Sequence, residues 1–366
     1  MTEFGGIAAI GEAFVAAAID PSRWNAAMEV AAQTTGSHGA ILVPVTRQLP
    51  LFPLSESVQR ATEAYVGDGW IARDLRNKAI SHLTRTGVAS DLDVIAPDEM
   101  ARSPYYQEFL APHGLRWFAG VKVGDGADVW CLSLQRTIVD GPFSPSELRR
   151  LAGLSRRLSS AAELARAFGF ARADAALQTF ETTGCAAAMV DREGQVVRLN
   201  PSAERLLGAE VKIVGRRIVS FNVEATAALD RALHQLIRST DPQALHPPIA
   251  LPRRAGRPII AYPSRAPAGF GAFAQCHALV VLVDLEARLP AAPDDLMRAF
   301  GLTPAEARLA GRLLDEESIE IAAANLAITY DTARKTLKTI FAKTDTNRQG
   351  QLIALLARLA RRRGGS

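Results

Sequence analysis

The sequence has few of the residues that build disulfide frameworks. Its three cysteines, Cys131, Cys185 and Cys276, are odd in number and far apart, and no C-x-x-C pair occurs among 366 residues. This pattern argues against structural disulfides and favours buried thiols in a reducing compartment. A redox-sensing thiol is the alternative interpretation.

Metal and catalytic motifs are also missing. The six histidines show no H-x-x-x-H, H-E-x-x-H or C-x-x-C-H spacing. The chain contains no Walker loop, no G-x-S-x-G and no kinase signature. We therefore expect no metal, no cofactor and no enzymatic activity. Two alternatives remain, a single haem-ligating histidine in the second half and an enzyme domain hidden in the first.

Long hydrophobic runs are absent as well. No stretch approaches the roughly twenty apolar residues that a membrane span requires. The apolar segment 5–19 is interrupted by Glu12 and follows no basic region. The sequence thus predicts a cytoplasmic protein without membrane contact.

With 366 residues, of which 48% are hydrophobic, the chain is long and apolar enough for two or three globular cores. The formal net charge of +4 is distributed unevenly. From residue 327 onward nine cationic residues face two acidic ones, which leaves the rest of the chain slightly acidic. A polyanion is therefore expected to bind at the C-terminal end.

Segment 302–359 has the most specific pattern. Thr303, Pro304 and Glu306 form a capping box with proline in the first turn, which predicts a helix start. Ser318 and Thr329 predict two further helix starts, the second for a helix over about 330–344. Two short helices joined by a tight turn are typical of a unit that enters a DNA major groove.

The exposed face of the helix over 330–344 carries the candidate DNA contacts. Arg334 and Lys338 lie one turn apart and are candidates for base edges or adjacent phosphates. Flanking candidates at the groove wall and at phosphates are Thr329, Thr332, Lys335, Thr339, Lys343, Asn347 and Arg348. The alternative is a solvated helix face without a partner.

Three short motifs carry a family resemblance: Leu302-Thr303-Pro304-x-Glu306, Ile328-Thr329-x-x-Thr332-x-Arg334 and Ile340-Phe341-x-Lys343-Thr344. With them, the segment resembles the DNA-binding domain of the LuxR/FixJ/NarL family of bacterial transcription regulators. The resemblance implies an all-α, four-helix helix-turn-helix domain over 296–363 that binds double-stranded DNA as a homodimer.

The segment departs from the family pattern at four positions. Ala327 and Asp345 stand where the family has glycine, and alanine tolerates a left-handed backbone less well than aspartate, so the turn at Ala327 is expected to differ locally. Ala322 and Ala333 replace larger apolar residues and predict a thinner core.

For two predicted helices, the sequence is compatible both with dimerisation and with packing within the chain. A helix predicted from Ser144 to about residue 168 repeats apolar residues at three- and four-residue spacing: Leu151, Leu154, Leu158, Ala161, Ala165 and Phe168. The last predicted helix, 351–361, carries Leu352, Leu355, Leu356 and Leu359. In the resembled family this last helix pairs two DNA-binding domains.

Residues 1–170 are predicted to form an α+β domain with helices before and after an antiparallel sheet, the order found in GAF-type sensors. Aromatic residues around one carboxylate are also similar to N-terminal sensor domains of LuxR-type regulators. We expect a ligand pocket lined by Tyr65, Trp70, Asp74, Tyr105 and Trp117. Alternatively the aromatics are core residues, and Asp74 is a helix cap or an ion-pair partner of Arg73 or Arg76.

Residues 175–288 are predicted to form a second α+β domain. The stretch MVDREGQVVRLNPSAERLLG resembles the start of a PAS domain. The remaining strand signals complete a five-stranded antiparallel sheet, and residues 289–295 read as a linker. No alternating βα pattern indicates a phosphoacceptor receiver domain.

The sequence therefore predicts a multi-domain transcription regulator that binds DNA through its C-terminal helices and is gated by a signal or small ligand in its GAF-like and PAS-like domains. The alternative is a signal-binding protein that acts through protein partners without specific DNA binding.

Overall fold

The computed structural model describes residues 6–45, 53–126, 129–208, 210–239, 241, 244–266, 273, 276–286, 293–315 and 318–360. Two α/β modules with antiparallel sheets are followed by a helical C-terminal region. No helix in these ranges has both the length and the apolar character needed to cross a bilayer.

The first module is built on a four-stranded antiparallel sheet of order β1-β4-β3-β2. Its elements are α1 (Ile7–Ile19), α2 (Trp24–Thr35), β1 (Gly39–Pro44), α3 (Gln59–Gly67), α4 (Ile80–Thr86), β2 (Val88–Ser90), α5 (Pro97–Arg102), β3 (Leu115–Val123) and β4 (Trp130–Thr137). Strand β2 has only three residues and was not anticipated from the sequence. Helix α5 is followed by a separate, wider helical turn over Tyr105–Leu110.

Helix α6 (Pro145–Thr182) is much longer than the predicted end near residue 168. It begins after Ser144 as expected, with a capping box in which Ser144 and Glu147 bond reciprocally. Most of the apolar row identified in the sequence lies buried in its own chain, against α1 and the sheet: Leu151, Leu154, Leu158, Ala161 and Ala165. The row is therefore used within the chain, except for Phe168, which is exposed.

The last turns of α6 belong to a second core. Ala173 and Leu177 are buried together with Ala187 and Met189 of the second module. Because α6 is one continuous helix, the boundary expected near residues 170–175 falls inside a rigid element that contributes to both cores.

A second link between the modules is aromatic. Phe273 of the second module is buried in the core of the first. Its ring centroid lies 5.1 Å from that of Trp24 and 4.8 Å from that of Trp130. The first core is thus completed by a side chain from the second module.

The second module has the predicted five-stranded antiparallel sheet, in the order β6-β5-β11-β10-β9. Its elements are β5 (Ala186–Val190), β6 (Val196–Leu199), α7 (Pro201–Leu206), β7 (Val211–Val214), β8 (Arg217–Ser220), α8 (Val223–Arg238), β9 (Ile249–Leu251), β10 (Ile259–Arg265) and β11 (Ala278–Asp284). The short hairpin β7-β8 was not anticipated. Helix α8 packs on the sheet through Leu229, Leu233 and Ile237.

The C-terminal region has five helices in the described ranges, not four: α9 (Pro293–Phe300), α10 (Pro304–Leu314), α11 (Ile319–Asn325), α12 (Tyr330–Thr344) and α13 (Gln349–Ala360). Helix α9 begins inside the predicted linker, whose residues 289–292 lie outside the described part. Ala322 and Ala333 are fully buried, as a thin core requires. Leu352 and Leu356 of α13 are buried in the same core, so intramolecular packing occupies both.

Candidate functional site

The first module contains a cavity of about 420 Å³ between its sheet and the helices α3 and α4. Successive residues of a strand point to opposite faces of a sheet. In β4, Leu132 and Leu134 accordingly face α6, whereas Cys131, Ser133 and Gln135 line the cavity. The sheet thus separates the packed core from an open, ligand-sized space.

Three of the five predicted pocket residues, Tyr65, Asp74 and Tyr105, line this cavity. Trp70 packs behind the wall on Phe109, with ring centroids 5.5 Å apart. Trp117 is half-buried beside the same aromatic cluster. Its buried indole N–H has no hydrogen-bond partner within the described part of the chain.

Asp74 is both a helix cap and a cavity residue. Its Oδ1 accepts from the backbone N–H of Arg76 at 2.8 Å, and its Oδ2 accepts from the Tyr65 hydroxyl at 2.9 Å. Burial raises the pKa of the Asp74 carboxyl, against the opposing effects of the Arg76 guanidinium and these hydrogen bonds. Burial and the Asp74 charge together raise the pKa of Tyr65.

Arg76 was not identified from the sequence as a site residue, yet it lines the cavity. Its Nε donates to Asp91 Oδ1 at 2.9 Å, Nη1 to Gln135 Oε1 at 2.8 Å and Nη2 to the Arg116 carbonyl at 2.9 Å. Burial opposes the charged guanidinium, but Asp91 together with Tyr105, Tyr106 and Asp74 outweighs it, so the pKa of Arg76 is raised. The only sequence signal was its position two residues after Asp74.

Asp91 holds the Arg76 side chain in place. It is 1% exposed and also accepts from the Phe118 backbone N–H at 2.5 Å and from the Tyr106 hydroxyl. The partners of the pair come from β3, β4 and the turn over Tyr105–Leu110, so the ion pair ties the sheet to the helical side of the cavity. Such a wall is held in one geometry, as selective binding requires.

Two of the three cysteines, Cys131 and Cys276, are buried. Burial raises the pKa of the Cys131 thiol to about 12 and that of Cys276 to about 11, so both are protonated at neutral pH. All three thiols are free. Among the described residues, no three metal-ligating side chains come together.

The second candidate site is the outer face of α12. Ala333, Leu337 and Ile340 bury one side of this helix, which leaves the other side exposed. The exposed residues include all nine predicted DNA contacts: Thr329, Thr332, Arg334, Lys335, Lys338, Thr339, Lys343, Asn347 and Arg348. The Thr329 hydroxyl caps α12 by accepting from Thr332 N–H at 3.2 Å.

The cations of this face differ in their partners. Arg334, Lys335 and Lys338 form no ion pair with any residue that the structure describes. Lys343 instead donates to Glu306 Oε2 at 2.7 Å and to the Gly301 carbonyl at 3.0 Å. Its hydrogen bond lowers the pKa of Glu306. Arg361, Arg362 and Arg363, counted in the basic end, lie outside the described residues.

The turns around α12 keep left-handed residues where the resembled family has glycine. Ala327 has φ 54° and Asp345 has φ 51°. The alanine adopts the left-handed backbone and carries its conformational strain. Aspartate adopts this conformation more readily.

Comparisons with known proteins come from solved structures, since no protein-family model and no curated protein matches the chain. The VqsR ligand-binding domain of Pseudomonas aeruginosa aligns at 17% identity and a TM-score of 0.35, over 44% of this chain and 96% of that one. A VqmA–ligand–DNA complex from Vibrio cholerae aligns at 19% identity and 0.22, over 52% and 88%. The VqmA dimer without target DNA gives 16% and 0.23, over 50% and 87%. At these TM-scores the likeness by itself assigns neither a fold nor a function.

Proposed function

We propose that the protein is a sequence-specific DNA-binding transcription regulator of the LuxR type, in which α11 and α12 act as a helix-turn-helix. The observation that carries this proposal is the exposed row of Arg334, Lys335 and Lys338 on α12, without described acidic partners. Cations held in ion pairs must exchange those partners before they bind phosphate, whereas these three are available at once. The motif resemblance at both ends of α12 supports the same assignment.

The remaining parts of the proposal concern control and assembly. The first module, GAF-like, would bind a small ligand in its cavity, and α6 would connect it to the PAS-like second module. Two copies would place two α12 helices in successive major grooves of a pseudo-palindromic site. The residues for that pairing are not assigned, since most of the α6 row and two α13 leucines are buried within the chain.

Binding of the purified full-length protein to its own upstream DNA tests this function. Fluorescence anisotropy would compare that DNA with random DNA of equal length over a range of salt concentrations. We expect tighter binding to the upstream sequence and a steep loss of affinity with salt. Equal, weak binding to both DNAs would contradict specific recognition and favour action through a protein partner.

The same assay tests gating. Small-molecule extract from the native cells is added to wild-type protein and to a Leu83→Trp variant, in which the larger side chain fills part of the cavity. We expect extract to change the DNA affinity of the wild type and to leave the variant unchanged. An equal response in both proteins would place the ligand outside the cavity.

A further inference from the structure

The Asp74 end of the cavity offers hydrogen-bond acceptors. The Tyr65 hydroxyl donates its single proton to Asp74, and Tyr105 also lines the cavity. A phenol has one donor, so the Tyr65 oxygen retains lone pairs for another partner, as do both oxygens of the carboxylate. A ligand at this end therefore meets three acceptor oxygens, one on Tyr65 and two on Asp74.

The Arg76 donors are directed mainly to the protein. Each nitrogen of the Arg76 guanidinium donates to a protein oxygen, on Asp91, Gln135 or the Arg116 backbone. The Arg76 backbone N–H donates to Asp74. Three of the five guanidinium N–H groups are used in this way, and they hold this cation on Asp91 and the sheet.

The negative and positive charges around the cavity do not balance. Asp74 and Arg76 are the only charged residues on the described cavity wall, and the Arg76 guanidinium is paired with a second carboxylate, Asp91. Two carboxylates thus share one guanidinium, and a negative charge remains at Asp74 when it is ionised. A buried charge without a partner is neutralised either by a proton or by a cation.

Aromatic rings surround this position. The Phe109 centroid lies 5.7 Å from that of Tyr65 and 5.4 Å from that of Tyr105. Aromatic faces attract cations through their quadrupole, and the attraction grows when the site excludes water. Aliphatic side chains such as Ile80 and Leu83 also line the cavity.

From these observations we infer that the cavity binds a small organic cation, in which an ammonium group at Asp74 is attached to an apolar body. An ammonium has three donors and no acceptor, which matches the three acceptors at this end. Its positive charge neutralises the one negative charge that is left over when Asp74 and Asp91 share the Arg76 guanidinium. The inference rests on the proposed function for its biological role, because ligand binding there is what gates DNA binding.

Isothermal titration calorimetry on the full-length protein tests the inference with matched ligand pairs. The pairs are 2-phenylethylamine with 2-phenylethanol, hexylamine with 1-hexanol and octylamine with 1-octanol, at neutral pH. Each pair differs in charge and donors but little in shape. We expect at least one ammonium to bind, and to bind at least about tenfold tighter than its alcohol.

Asp74→Asn should remove this preference, whereas Asp98→Asn, the same change on an exposed residue, should preserve it. The wild-type comparison stands even where Asp74→Asn fails to fold. Equal or tighter binding of the alcohols, or no binding of any ammonium, would overturn the inference.

The same preparations are assayed on upstream DNA, which separates the two proposals. Specific DNA binding without an ammonium preference removes the ligand class and leaves the regulator. An ammonium preference without specific DNA binding removes the regulator and leaves the ligand class.

Discussion

The cavity of the first module and the outer face of α12 use charge in opposite ways. Around the cavity, Arg76 and Asp91 are buried and bonded on every side. On α12, Arg334, Lys335 and Lys338 are exposed and lack described acidic partners. Buried, satisfied charges fix a shape, whereas exposed, unpaired charges are available to a polyanion. One region is therefore suited to select a small molecule and the other to bind a long charged one.

Removing the buried carboxylate gives the largest expected effect. Asp91→Asn leaves Arg76 buried without its counter-ion and should lower the free energy of unfolding by roughly 3–5 kcal/mol. All four tryptophans lie in the first module, so their fluorescence during urea unfolding reports on this module and on the Phe273 contact with it.

A surface ion pair supplies the control for that measurement. Lys78 and Glu99 are 2.6 Å apart, with side chains 49% and 40% exposed. Glu99→Gln should cost at most about 1 kcal/mol. Similar losses in the two variants would mean that the Arg76 pair gains nothing from its burial.

Charge removal on α12 should change DNA affinity and leave folding intact. Arg334→Ala or Lys338→Ala should weaken binding to the preferred sequence by about 1–3 kcal/mol if the residue contacts a base. Anisotropy titrations measure the affinity, and tryptophan fluorescence verifies that the first module is unaffected. Arg60→Ala, an exposed cation of α3, serves as the control and should bind DNA as the wild type does. Unchanged affinity in both α12 variants would refute the docking of this face.

Lys335 and Lys343 of α12 should contribute differently to the salt dependence of DNA binding, because only Lys343 has an acidic partner in the described structure. Lys335→Ala should reduce the slope of log affinity against log salt by about one unit if Lys335 neutralises a phosphate. Lys343 must first leave Glu306, so Lys343→Ala should change the slope less. An equal change in both would show that Lys343 exchanges its partner when DNA binds.

The smallest effect concerns the turn before α12. Ala327→Gly should stabilise the C-terminal helices by up to about 1 kcal/mol, because glycine adopts φ 54° without the alanine penalty. Ala324→Gly, in helical α11, should destabilise by about 1 kcal/mol. Hydrogen exchange of α11 and α12 amides, followed by mass spectrometry, measures both. Faster exchange in Ala327→Gly would contradict the assigned strain.

The features that the sequence alone predicts are those formed between residues close together in the chain. The capping boxes at Ser144 and Thr303 join residues three positions apart, so both residues can be recognised in one short stretch of sequence. The left-handed position of Asp345 was likewise indicated by a glycine in the resembled family. Short elements such as β2 gave no periodicity to recognise.

The cavity depends instead on distant partners. Arg76 reaches Asp91 fifteen residues away and Gln135 fifty-nine residues away, and no spacing rule connects them. The aromatic residues were predicted as one set, but the fold places Tyr65 and Tyr105 on the wall and Trp70 behind it. Composition identifies such a cluster, and only the tertiary arrangement decides which members face the space.

Phe273 determines which fragments of this protein can be studied in isolation. A fragment that ends after α6 would carry every strand of the first module but would lack the ring that fills the gap between Trp24 and Trp130. Two large apolar side chains would then meet water, and such a patch favours self-association. Ligand measurements on the isolated first module therefore call for an apolar substitute at that gap or for a fragment that extends past β11.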